Sequence, residues 1–140
     1  MPYSVELLTT EAECGQLLTH NADQLRTLRH NAEGHDYQRE NSAETATEVA
    51  DELATAERDV TELTAAVAAL ADGEQKRKRT RELEIATAHR NTARYKQGSQ
   101  GAVAVLERED ALEQTNARIG KAEAFKAAIE GRKTVIAAQI

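Results

Sequence analysis

The chain of 140 residues is short of nearly everything that breaks or staples a fold: one proline, Pro2, one cysteine, Cys14, no tryptophan, three tyrosines and one phenylalanine. With no proline after position 2, the strongest helix breaker is missing from almost the whole sequence. The scarcity of aromatic residues, against 26 alanines, disfavours strands and favours helix nearly everywhere. A lone thiol excludes an internal disulfide, and no histidine stands at the spacing a zinc site needs. No apolar run approaches the roughly 18 residues of a membrane span. The opening MPYSVELLTT has neither a basic nor an apolar export region, so a soluble, cytoplasmic protein is expected.

Catalytic signatures are missing as well. There is no G-x-x-x-x-G-K-[ST], G-x-G-x-x-G or G-x-S-x-G, and no H-E-x-x-H. A dinuclear carboxylate bundle would need Glu-x-x-His on two helices, and the tetrapeptide does not occur around His20, His30, His35 or His89. Neither enzymatic activity, nor a metal, nor any other cofactor is expected. Cys14 reads as a small seam residue rather than a reactive thiol.

What is present is helical periodicity. Thr10 and Glu13 have the spacing of a capping box, which starts a helix. Beyond it Cys14, Leu18, Leu25, Leu28, Ala32, then Ala46, Val49, Leu53, Ala56, Val60, Leu63, Val67 and Leu70 hold one heptad register. Its middle is polar: His35 and Arg39 occupy seam positions. With Gly34 beside them, this stretch reads either as a helix break, with Asn41 and Glu44 as a second capping box, or as a polar layer in an unbroken helix. Ala71-Asp72-Gly73-Glu74 is a turn, with Gly73 suited to end one helix and Asp72 with Gln75 to cap the next. The second half carries Val105, Leu112, Ile119, Ala122, Ile129, Ile136 and Ile140 on one stripe. Leu83, Ala86 and Ala93 lie in its first part, with Ile85, Tyr95 and Leu106 on a shifted face. The slip falls at Gly98-Ser99-Gln100-Gly101.

The fold class is therefore all-α: a long antiparallel coiled-coil hairpin turning at about 72–74, with kinks near 34–41 and 98–101. Its alternative is a compact four-helix bundle folded over at those kinks. One helical domain is expected over 1–140, with an extended lead-in at 1–9, a first helix at 10–71 and a second at 74–140. Folding back at Gly73 brings together residues whose numbers total 146 or 147, including Leu63 with Leu83, Leu53 with Ala93, Leu25 with Ala122 and Leu7 with Ile140. Arg39 then falls opposite Glu107, which completes the polar layer of His35, Arg39 and Glu107. Charge agrees with this pairing. Residues 1–73 carry 4 Lys+Arg and 15 Asp+Glu, net −11, and residues 74–140 carry 14 and 9, net +5.

The run Lys76, Arg77, Lys78, Arg79 and Arg81 is the candidate interaction site. Such cations could meet phosphate, but they spread around a helix, face an acidic partner arm and lack aromatic neighbours for base stacking. A solvated, acid-paired hairpin tip is favoured and nucleic acid is disfavoured. The exposed carboxylates Glu40, Glu44, Glu48, Asp51 and Glu52 would attract a basic surface, either residues 76–96 of the same chain or those of a second copy. About 30 apolar residues larger than alanine make a thin core for one hairpin. The expected function is a structural or protein-interaction module that self-associates, most simply as a dimer, with room for an unidentified protein partner. The alternative is a nucleic-acid accessory protein using the 76–81 tip.

Overall fold

Thr9 and Thr10 open the fold by converging on one carboxylate oxygen. A computed structural model describes residues 3–139. In it both threonine amides and both hydroxyls donate to Glu13 Oε1 at 3.0–3.2 Å. The Glu13 amide in turn donates to Thr10 Oγ1 at 3.2 Å, which completes the capping box expected from the sequence. The Thr9 backbone bond, followed by the Thr9 hydroxyl and the two Thr10 donors, holds the Glu13 carboxyl below its ordinary value.

From this cap one helix, α1, runs Glu11–Ala69. After the turn come α2, Glu74–Gln100, and α3, Ala102–Ala138, which together form the returning arm of an antiparallel hairpin. Among the described residues there is no strand. Two departures from the sequence expectation concern helix continuity. The first helix does not break within 34–41, so Gly34 is not a C-cap and Asn41 starts nothing. A single glycine costs about 1 kcal/mol in a helix, less than ending one helix and nucleating another. The alternative four-helix bundle required that break. In the returning arm the interruption is real but minimal. It is confined to Gly101, where a Cβ would fall on the Gln97 carbonyl oxygen.

The turn also differs in detail. Gly73 is the N-cap of α2 rather than the C-cap of α1, at φ 156°, a backbone conformation only glycine adopts readily. Its carbonyl accepts the Arg77 amide at 3.1 Å, and no side chain caps α2, so the Asp72 cap does not form. The lead-in is likewise not fully extended, since Val5–Leu7 makes one 3-10 turn.

The hairpin comprises two compact units. In the first, residues 3–37 and 109–139, Cys14, Ile129 and Ile136 form the core, with Val5, Leu8, Leu17, Leu18 and Phe125 packed around them. The N-terminal segment is strapped to α3. Tyr3 meets Phe125 edge-on at 5.1 Å, and the Arg132 guanidinium donates to the Leu8 carbonyl at 2.9 and 3.0 Å. Leu7 is exposed, and Ile140, expected opposite it, lies outside the described residues.

In the second unit, residues 38–108, the buried apolar residues are Val49, Leu53, Ala56 and Ala93. The register follows the sequence to within about one turn. Gln38 meets Arg108, numbers totalling 146, and Glu52 meets Lys96, totalling 148. In the first unit Asn21 meets Ala122, totalling 143.

Candidate interaction surface

The basic tip begins in the first turn of α2, where positive charge opposes the helix dipole. Lys76 is drawn back to Asp72 at 3.5 Å and Arg79 reaches along the helix to Glu82 at 2.8 Å. Arg77, Lys78 and Arg81 are exposed and make no ion pair among the described residues. Helical spacing divides the five cations between faces, so they form no single cradle. Of the acidic segment Glu57, Asp59, Glu62 and Asp72 that was expected to neutralise this tip, Asp72 alone makes an ion pair with it among the described residues, and Glu57 pairs instead with Arg94 at 3.5 Å. Together with Glu52 and Lys96 at 3.6 Å, that pair joins the acidic arm to residues 76–96 of the same chain. These pairs are half exposed, and each is worth a few tenths of a kcal/mol to about 1 kcal/mol.

The polar seam is distributed differently from the sequence reading. His35 and Arg39 are half-buried on α1, and Arg39 stands 4.0 Å from Glu40. Glu107 is exposed at the start of α3. Its neighbour Arg108 makes the cross-hairpin bond, donating to Gln38 Oε1 at 3.0 Å.

The most buried polar seam residue was not among the candidates. Asn21 is 1% exposed and donates from Nδ2 to the Ala122 carbonyl at 2.9 Å, while its Oδ1 has no partner. The signal was available, because position 21 completes the alternating spacing of three and four between Leu18 and Leu25. Thr115 is a second missed seam residue, seven before Ala122; it is buried and turns its hydroxyl to the Ala111 carbonyl of its own helix.

The outer face of the returning arm in the second unit is more informative than the tip. Ile85, Tyr95, Val103 and Leu106 are 54%, 80%, 61% and 61% exposed. With Ala88, Thr92 and Ser99, also exposed, they follow helical spacing along α2 and α3 on the face outside the Ala86 and Ala93 contact with α1, Ile85 and Thr92 bordering the groove between the two arms. The residues on this strip between Arg81 and Glu107 carry no charge. A helix face that meets only water normally carries charge, so a six-turn strip without any is a surface suited to contact.

Other groups are not assembled. Cys14 is fully buried in the core, and His20, His30 and His89 are exposed. Among the described residues no three His, Cys, Asp or Glu side chains gather where a metal could bind. No helix among them is long and apolar enough to cross a membrane. Compared with known proteins, the chain matches no family model, and no curated protein or solved structure shows significant similarity to it.

Proposed function

We propose that this chain is a non-catalytic, cytoplasmic interaction module that works by self-association of its helical hairpin, two copies to an assembly. One observation carries the reading. The second unit fully buries only Val49, Leu53, Ala56 and Ala93 among its apolar residues and half-buries others such as Val60, Leu63 and Leu83, yet it exposes Ile85, Tyr95, Val103 and Leu106 on a single face. Four large apolar side chains left in water on one face of a unit with so thin a core favour association. The mechanism is geometric, in that paired hairpins present the ends and flanks of their helices in a fixed relation.

Light scattering on the eluting protein tests the proposal. A dimer of a 15.3 kDa chain is expected at micromolar concentration. A mass equal to one chain across a concentration series would overturn it.

A second reading is an accessory role on nucleic acid. It draws on the exposed, unpaired Arg77, Lys78 and Arg81 at the hairpin tip. Binding of a DNA or RNA duplex should then weaken steeply with salt and vanish in the Arg77, Lys78, Arg81 triple alanine variant. No gel shift at low salt would remove this option.

A further inference from the structure

We infer that the strip Ile85, Ala88, Thr92, Tyr95, Val103, Leu106 is the self-docking surface, and that a second copy lies on it in antiparallel orientation about a two-fold axis near Tyr95. The inference rests on the self-association proposed above and adds the surface, the orientation and the register.

The distribution of charge along the strip selects the occupant. Exposed Lys78 and Arg81 stand at one end, and exposed Glu107 stands at the other, where the sequence continues Glu109-Asp110. Arg108, the cation within this acidic stretch, is engaged with Gln38. The order is thus basic, apolar, acidic. Such a surface is complementary to itself only when reversed. Two copies laid side by side in the same direction would bring Arg81 onto Arg81 and Glu107 onto Glu107. In reverse, cations meet carboxylates at both ends and the apolar middle meets its own copy.

The apolar residues support the same alignment. In an antiparallel pair, facing residues have numbers with a constant total. A total of 191 places Ile85 against Leu106, Ala88 against Val103 and Thr92 against Ser99. Large meets large at the ends, and small meets medium between them. Tyr95, the most exposed residue of the strip at 80%, then lies beside the axis, where each ring can cover the other copy. The same total carries Arg81 to the turn just after Glu107, within reach of its carboxylate. Aromatic residues at the centre and charges at the rim are the usual distribution of binding energy in an interface.

Two measurements on the full chain test this. Tyr95→Glu combined with Leu106→Glu should weaken dimerisation at least 100-fold by sedimentation equilibrium. Helicity by circular dichroism should be unchanged, because both side chains already face solvent. Orientation is read without disturbing the charge pattern. Ile85→Cys with Leu106→Cys should give a disulfide-linked dimer on a non-reducing gel under mild oxidant, whereas Ile85→Cys alone should not. Cross-linking by the single variant would mean parallel pairing and overturn the proposed orientation. Dimers that persist undiminished in the double glutamate variant would overturn the surface and leave self-association standing. A monomeric parent chain would overturn both.

Discussion

Asn21 donates its side-chain amide to the Ala122 carbonyl across the hairpin, and its own Oδ1 is buried without a donor. The pair sits in a seam otherwise lined by Cys14, Leu25, Ile129 and Ile136. A buried amide among apolar residues costs stability, and it can repay this by specifying one register over its neighbours. Here a slip of the two arms would carry Nδ2 away from Ala122 and bury two unsatisfied polar atoms instead of one.

That asymmetry predicts opposite effects for two substitutions. Asn21→Val removes the orphaned oxygen, and the Ala122 carbonyl lies mid-helix in α3, where a backbone donor already serves it. The variant should gain about 1–2 kcal/mol in urea denaturation. Asn21→Asp should lose about 2–4 kcal/mol at neutral pH, because it presents a second acceptor, or a charge, to a carbonyl. A destabilised valine variant would show that the amide bond outweighs its desolvation.

Glu13 makes the N-terminal cap sensitive to acid. Its carboxyl is held below its ordinary 4.5 by the Thr9 and Thr10 donors, so the folded state binds its proton less readily than the unfolded state. The stabilisation is complete above 4.5 and is lost as the pH falls through the lower, folded value. Glu13→Gln should therefore melt below the parent at pH 7, and the two curves should converge once the pH has fallen below that lower value. A difference that persists undiminished there would place the effect in shape rather than charge.

The elements of this fold were legible because each rests on a local rule. The Thr10 and Glu13 capping box, the break at 98–101 and the seam from Val49 to Leu70 follow from spacing alone. The 34–41 region was not legible in the same way. A glycine beside His35 and Arg39 has the same local appearance whether the helix ends or continues, and the outcome is set by cooperative hydrogen bonding from both sides. The tip shows a similar limit. Charge totals of −11 and +5 indicate which arms pair, but Arg79 chooses Glu82 on its own helix over Glu62, because a neighbour three residues away costs less ordering. Ile85, Tyr95 and Leu106 were visible as a shifted face. That this face is the outer one required knowing which side Ala93 turns inward.

Gly73 is the residue on which reversal of the chain depends. At φ 156° and ψ −171° it occupies a region essentially closed to residues with a Cβ, although no neighbouring atom crowds the site. Gly73→Ala should cost about 1–3 kcal/mol by thermal denaturation, entirely through the backbone. Gly34→Ala, mid-helix and equally uncrowded, should instead stabilise by about 1 kcal/mol. An unaffected Gly73→Ala would mean that the turn relaxes to another conformation.

Gly98 and Gly101 stand three residues apart and should respond in opposite directions. A Cβ on Gly98 meets nothing within 4 Å, and the residue lies inside α2, so Gly98→Ala should stabilise by about 1 kcal/mol. A Cβ on Gly101 would collide with the Gln97 carbonyl, a backbone atom that cannot swing aside, and Gly101 is itself buried. Gly101→Ala should therefore cost about 1–3 kcal/mol unless the returning arm straightens. Straightening has its own signature. The strip keeps uninterrupted helical spacing from Ile85 through Ser99 to Val103 and Leu106, so joining α2 to α3 as one helix would leave it on one face. A Gly101→Ala variant that melts higher and dimerises as well as the parent would show that the returning arm has straightened with the strip intact.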